Sequence, residues 1–365
     1  MNILIDAHVF DGKFQGSRTY IKGLYSEMIK KKSDWHFYFA GSNVDTLQEE
    51  FGSKKNITYL KLRATNKYIR LLFELPYLSY KHKIDFSHFQ YVSPPIKIGK
   101  YIVTNHDILF EEERFKQYFP NKYRWVNSFL FKYAARKANI LLTVSDYSKN
   151  KINEFYNIPK EQIHVTPNAI QLNTETTKTN LIKKKYGCEK YLLYVSRVEP
   201  RKNHISVVKA FINLKLYEHG YQLVFIGNRD MEDKELTNYI TENRKYLQDN
   251  LRFFSNVPDT DLKQFYLNAE VVVYPSFAEG FGIPPLEGAV YKRKVVCSSS
   301  TAMAEFTFFK YLVNPNNQKE IEEAISKALK DDEKGLDKIQ EFVLQTYTWS
   351  RGADVLEKEI EKHYK

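Results

Sequence analysis

The chain alternates apolar strand-like runs with helix-period stretches, and it does so twice, with a polar break between the two series. In the first series, residues 3–5, 36–40, 57–62, 86–89, 101–104 and 140–144 read as short strands, while residues 19–32 carry Tyr20, Ile21, Leu24 and Met28 near helical spacing. Strands that alternate with helices imply an open, largely parallel sheet covered on both faces. Residues 171–190 then turn polar, rich in Asn, Thr and Lys, as a connection between domains does. The pattern restarts with strands at 191–195, 222–226, 251–254 and 271–274 and helices at 204–216, 233–247 and 259–268. The expected fold class is therefore α/β, with two doubly wound halves over residues 1–172 and 189–346 and a linker over 173–188. Such sheets bind ligands outside the carboxyl ends of their strands, so the expected site is a cleft between the halves.

With 43% hydrophobic and 27% charged residues, the 365-residue chain is neither disordered nor a small stapled scaffold. No apolar run approaches the ~18 residues that span a bilayer. The start, MNILIDAHVF, enters a strand pattern without a basic leader region, so a cytoplasmic location is expected. Cys188 and Cys297 lie far apart without Cys or His companions, which argues against a disulfide framework or a zinc site and for buried thiols. The net charge of +11 is uneven: residues 1–170 hold 26 basic and 16 acidic side chains, the remainder 29 and 28. A basic half suits nucleic acid, anionic lipid headgroups or a phosphorylated substrate, and a merely Lys-rich composition explains it as well.

The sharpest motif is PSFAEGFGIPPLEGAVYKRKVV, residues 275–296. A strand runs into a loop with Glu279, Gly280, Phe281 and Gly282; Pro284 and Pro285 suit the first turn of a helix, and Glu287 lies inside it. Backbone amides at such a helix start make an anion site. Carboxylates on either side of those amides can accept hydroxyl groups flanking a diphosphate. Taken singly, Glu279 reads as a helix cap and Glu287 as a solvated side chain.

Glu279 and Glu287, separated by seven residues, resemble the element of the retaining glycosyltransferases of family 4, in particular mannosyltransferase-like bacterial members. The resemblance implies a GT-B fold, with two Rossmann-like domains facing each other across a cleft and a C-terminal helix, residues 347–365, packing back on the N-terminal domain. It gives Glu279 a contact to the donor sugar, Glu287 a contact to the nucleotide ribose, and Gly280, Phe281, Gly282 and Ile283 an approach to the distal phosphate. A second match is YVSRVEPRKNHISVVKAF, residues 194–211. There Arg197 ends a strand while Lys202 and Asn203 open a helix, so two cations gather where a diphosphate can lie. In the family this Arg and Lys bind the donor diphosphate.

Further positions are weaker. Gly12 and Gly16 sit in a loop after the first strand; Gly16 is carried over as a close approach of backbone to the donor phosphate, and Arg18 is a candidate on the acceptor side. His106 and Asp107 follow a strand and resemble the family's HD element, which implies that His106 orients the sugar and that Asp107 supports it. His88, at the end of another strand, is a second acceptor-side candidate. Asn256 and Val257 match the stretch whose backbone meets the base. Asp259 and Asp261 spell a DxD string, yet they follow Pro258 at a helix start and read as capping carboxylates, so no metal site is expected.

In residues 121–138, Trp125, Val126, Phe129, Leu130 and Tyr133 form one apolar face, with Arg124, Lys132 and Arg136 on another. Residues 66–83 are similar in composition. A solvated helix face and a loose attachment to an anionic membrane both fit, the latter making the chain peripheral on the inner face of the cytoplasmic membrane.

The resulting expectation is transfer of a hexose, with retention, from a nucleotide diphosphate sugar to an acceptor hydroxyl. The donor is GDP-mannose-like by the VEPRKN string, and the acceptor is a carbohydrate or lipid-linked saccharide of bacterial surface polysaccharide or lipopolysaccharide. No cofactor beyond the donor is expected. A GT-B nucleotide-sugar epimerase, which needs no acceptor, and a non-catalytic nucleic-acid-binding protein are the other readings, the latter lacking any zinc-finger or RNP-type string.

Overall fold

The apolar runs pair in parallel in two separate sheets. The computed structural model describes residues 1–12, 16–170, 179–229 and 231–364. One unit comprises Met1–Ala169 with Tyr347–Lys365, the other Ile170–Thr346.

In the first unit the strands are β1 (Asn2–Asp6), β2 (His36–Gly41), β3 (Ile57–Lys61), β4 (Phe86–Gln90), β5 (Lys100–Thr104), β6 (Ile140–Thr143) and β7 (Ile163–Val165). They lie in the order β3-β2-β1-β4-β5-β6-β7, so the direction of winding reverses between β1 and β4. Helix α1 (Gly16–Lys31) covers one face, where Tyr25 meets the rings of Phe37 and Phe39 on β2 at 6.1 and 6.0 Å. The alternate β2 residues, Tyr38 and Ala40, face the other way. There they join a cluster with Leu4, Tyr101 and Leu75 of helix α2 (Leu75–Lys81). Helix α3 (Asn121–Lys137) puts Phe131, Ala134 and Ala135 against Val103 and Leu141. Tyr101 and Val103 are two residues apart on β5 and point to one side, so α2 and α3 lie on the same face of this sheet.

The C-terminal helix, Trp349–Tyr364, packs on α1 from within the first unit. A side chain on Gly23 of α1 would fall 1.9 Å from the Trp349 indole, so only glycine admits that contact. Lys31 pairs with Asp354, and Lys32 with Glu357 and Glu361 at 2.6 Å each, which neutralises this face.

The second unit holds β8 (Tyr191–Val195), β9 (Gln222–Ile226), β10 (Leu251–Phe254), β11 (Val271–Tyr274), β12 (Lys294–Ser298) and β13 (Tyr311–Val313). Their order is β10-β9-β8-β11-β12-β13, with the reversal between β8 and β11. Helices α4 (His204–Asn213), α5 (Asp259–Asn268) and α6 (Ile283–Val290) follow β8, β10 and β11. Of the expected linker, residues 173–178 lie outside the described residues. The rest is not a free connection: Leu181–Tyr186 is a helix of the second unit, tied to α5 by Lys185 and the Tyr186 hydroxyl, each 2.6 Å from Asp261. That contact also corrects the capping expectation. Helix α5 has Pro258 at its cap without a side-chain cap bond, and Asp261 serves as the anchor of the preceding helix.

Candidate active site

In a doubly wound sheet, the crevice where winding reverses leaves the backbone ends of two neighbouring strands uncovered. In the second unit that place is the carboxyl ends of β8 and β11, and both recognised motifs arrive there. After β8, Pro200–Lys202 makes a short 3-10 turn and Asn203 takes a left-handed conformation, φ 57°. Asn203 fixes the turn by donating to the carbonyls of Pro275 and Pro315 at 3.0 Å each. The Tyr194 hydroxyl donates to the Lys202 carbonyl. After β11, the backbone amide of Glu279 donates to the Thr301 hydroxyl at 2.9 Å.

So held, the two loops bring their side chains together. The Lys202 ammonium is 2.6 Å from Glu279 Oε1, and the Tyr274 hydroxyl donates to the same oxygen at 3.0 Å. Arg201 lies 3.4 Å from Glu279 Oε2, donates to the Ala278 carbonyl, and meets Glu199 at 2.6 Å. Lys202, Glu279 and Glu199 are buried. Burial alone would raise the Glu279 carboxyl, but Lys202 and Arg201 outweigh it and bring it down to about 2. Burial lowers the Lys202 pKa below its ordinary value, and Glu279 works against that shift. The result is a desolvated cluster of fixed charge, in which interactions with a charged ligand are stronger than in water.

Arg197 is not in that cluster. Its side chain is 57% exposed and among the described residues pairs with Glu199, at 4.0 Å, which in turn holds Arg201 beside Glu279. Arg201 takes the inner position that the spacing suggested for Arg197. Its signal in the sequence is only its place beside Lys202, and Tyr274 and Thr301 gave none.

Gly282 precedes α6 with φ 110°, a conformation that favours glycine, and a side chain there would approach Met303 to 2.9 Å. Pro284 and Pro285 occupy the first turn, as the sequence suggests. Gly280, Phe281 and Ile283 complete this turn. Glu287, one turn inside α6, accepts from the Tyr266 hydroxyl at 2.7 Å. Burial raises its pKa, with Tyr266 opposing and Asp259 adding to the rise. Asn256 and Val257 follow β10, Asn256 exposed and left-handed at φ 54°.

In the first unit, His106 follows β5 and is buried. Its Nε2 donates to Gln90 Oε1 at 2.6 Å, and the ring edge meets Tyr20 at 4.9 Å. Burial lowers its pKa to about 3, so the imidazole is neutral near pH 7. Asp107 accepts from the Leu109 amide at 3.3 Å. Two expectations need correction. His88 is fully buried, with Nδ1 2.7 Å from the Tyr25 hydroxyl and Nε2 2.8 Å from Thr104, and therefore cannot face an acceptor. Instead Gln90, 3.3 Å from His88 Nε2, links it to His106. Arg18 is engaged by Glu50 at 2.7 Å and lies 5.1 Å over the Phe10 ring, so it is a surface tie rather than a free acceptor-side cation. Gly16 opens α1 with open space where a side chain would stand. Among the described residues no cluster of His, Cys, Asp or Glu suits a metal ion. Cys188 and Cys297 are buried free thiols.

Comparison with known proteins agrees with this arrangement. Residues 14–174 match the family described as Glycosyltransferase Family 4, and residues 177–341 match Glycosyl transferases group 1. The chain is 31% identical over 260 residues to the O-antigen chain mannosyltransferase B of Escherichia coli, covering 68% of this chain and 67% of that protein. It is also 31% identical over 226 residues to the O-antigen chain mannosyltransferase RfbU of Salmonella typhimurium, covering 61% of this chain and 59% of that one. A glycosyltransferase structure from Rickettsia africae superimposes with a TM-score of 0.73 over 99% of this chain and 98% of that chain, at 19% identity. The two Rossmann-like parallel sheets, the Glu279 to Glu287 element and these matches identify the chain as a member of the family 4 glycosyltransferases with the GT-B fold.

Proposed function

We propose that the chain moves a hexose from a nucleotide diphosphate sugar, GDP-mannose first among candidates, to a hydroxyl of a carbohydrate or lipid-linked saccharide, with retention at the anomeric carbon. The named activities of the two O-antigen relatives favour mannose and a role in bacterial surface polysaccharide assembly. The observation that carries the reading is the buried Lys202–Glu279 pair with Arg201 at the ends of β8 and β11.

In this reading Lys202 and the exposed Arg197 meet the donor diphosphate, and the turn at Gly280–Ile283 receives the distal phosphate at the positive end of α6. Arg201 and Tyr274 hold the Glu279 carboxylate, which accepts sugar hydroxyls. Glu287 accepts the ribose hydroxyls, the backbone of Asn256 and Val257 meets the base, and Gly16 lets backbone approach phosphate. His106, neutral and oriented by Gln90, is the sugar contact supplied by the first unit.

As the bond between the anomeric carbon and the diphosphate oxygen breaks, negative charge grows on the phosphate, where fixed cations stabilise it. The departing oxygen takes the proton of the acceptor hydroxyl, whose oxygen bonds to the anomeric carbon on the same face. The diphosphate charge is met by the protein's own cations. This division of labour needs no second carboxylate as acid or base.

The test combines a thermal-shift series with product analysis. GDP and GDP-mannose are expected to raise the melting temperature more than UDP and UDP-glucose, in proportion to affinity and concentration. NMR of the product is expected to show the donor's anomeric configuration. Donor conversion without acceptor, or no stabilisation by any nucleotide, overturns the reading.

A further inference from the structure

A cavity of ≈ 530 Å³ opens at the amino ends of β6 and β7, the end of the first sheet opposite to His106. Its walls come from the end of α3, from the turn after the helix Asp146–Tyr156 and from the last turns of the C-terminal helix. All of them belong to the first unit. The volume falls within the ~300–1,000 Å³ of small-molecule sites and far exceeds the ~30 Å³ share of one water.

The polar groups around it are held in place without being satisfied. Glu359 is 6% exposed, and its Oε2 has no hydrogen bond among the described residues. His164 Nε2, Lys362 Nζ and His363 Nδ1 stand 3.5, 3.6 and 3.9 Å from that oxygen, beyond good hydrogen-bond reach. His363 Nδ1 donates instead to the Glu359 carbonyl at 2.8 Å. Arg136 uses Nε and Nη2 on the Tyr156 carbonyl, at 3.2 and 2.9 Å, which leaves Nη1 unbonded among the described residues. Asn139 Oδ1 accepts from the Tyr101 amide at 2.9 Å, and its Nδ2 is left to donate. An unmet buried acceptor is costly, most of all a charged one, so a guest that donates to Glu359 Oε2 is favoured.

The charges on the walls narrow the choice of guest. Glu161 and Glu359 oppose an anion, while Arg136 and Lys362 oppose a cation, and the two signs balance. An apolar guest leaves Oε2 unmet. A hydroxyl is the group that donates to a carboxylate and accepts from nitrogen donors at once. Ala138, Ile158 and Pro159 add apolar wall on which the C–H face of a ring can rest. We propose that this cavity binds a neutral polyhydroxyl ligand, a saccharide unit or a small polyol, with one hydroxyl donating to Glu359 Oε2 and others accepting from Arg136, Asn139 and Lys362. The site is separated from the carboxyl ends of the strands by the length of the sheet, and it does not rest on the reading of the donor site.

Saturation-transfer NMR on the full-length protein tests this with methyl α-mannoside, sucrose and glycerol as probes. At least one of them is expected to receive magnetisation, and which one does so tells a sugar site from a small-polyol site. Glu359→Gln keeps the shape but not the charge, and Ala138→Phe fills the cavity without removing a charge. Each is expected to weaken binding about tenfold or more. Melting temperatures show that a variant folds, and GDP is expected to raise them as it does in the wild type, because neither position belongs to the donor site. Silence from all three probes, a signal that survives both substitutions, or one displaced by inorganic phosphate overturns the proposal. Displacement by GDP overturns it too, since the probe would then sit at the donor site. The GDP series, read on the same samples, separates failure of this site from failure of the donor assignment.

Discussion

Each unit buries a polar cluster at the carboxyl ends of its central strands, and the two clusters are built on opposite principles. In the first, His106, Gln90, His88, Tyr25 and Thr104 form a network without a formal charge. In the second, Glu199, Arg201, Glu279 and Lys202 alternate in sign. A neutral network fixes orientation and tautomer and exerts little field, while an ionic one stores a strong local field at the expense of desolvating its members. Under the proposed function, orientation and charge stabilisation fall to different sheets.

The strongest way to break this contrast is Lys202→Ala. It leaves Arg201 as the one cation beside the buried Glu279, with Tyr274 still donating to it; transfer is expected to fall about 100- to 1000-fold, with a stability loss below the roughly 3–5 kcal/mol of a wholly unpaired buried charge. Turnover and chemical denaturation read the two effects; unchanged turnover would remove Lys202 from the mechanism. EDTA, by contrast, is expected to leave wild-type turnover unchanged if, as proposed, these cations take the diphosphate charge.

Acid titration sharpens the contrast next. His88 and His106 in the first unit, and His204 in the second, are held near 3 by burial, far below the ordinary 6.5. Below pH 6.5 the unfolded chain binds protons that these neutral rings refuse, so their contribution is complete above 6.5 and lost as pH falls towards 3. Each costs about 1.4 kcal/mol per pH unit, roughly twice as much in the first unit as in the second. Burial also lowers His36, His82 and His164 of the first unit. Glu279, lowered to about 2, adds a loss in the second unit only below pH ~4.5. Hydrogen exchange at pH 6.5 and 5.5 is expected to show the first unit loosening before the second. The reverse order would contradict a neutral network there.

The smallest effect compares two hydroxyls. Tyr274→Phe removes a donor to an ionised carboxylate and is expected to cost about 1.5–3 kcal/mol. Tyr25→Phe removes a bond to a neutral imidazole and is expected to cost about 0.5–1.5 kcal/mol. Equal losses, measured by denaturation, would mean that the two environments differ less than their charges imply.

The sheets were legible because central parallel strands are buried on both faces and leave continuous apolar runs such as those of β8 and β11. The Glu279 to Glu287 loop was legible because its glycine and proline positions follow from backbone geometry alone. What stayed hidden depended on partners far away in the chain. Asp261 reads as a cap until Lys185, 76 residues earlier, is seen to claim it. Arg201 reads as a solvated neighbour of Lys202 until Glu279, 78 residues on, shows otherwise. His88 and His106 both end strands, and only the surrounding rings and hydroxyls show which one is sealed within the core.

The seat of the Trp349 indole against Gly23 has a bearing on how the molecule is made. The first unit draws on residues 1–169 and 347–365, so its nascent portion must wait on the ribosome while the whole intervening sheet is translated. The contact that ties the last helix to α1 can therefore form only after the intervening sheet has been made.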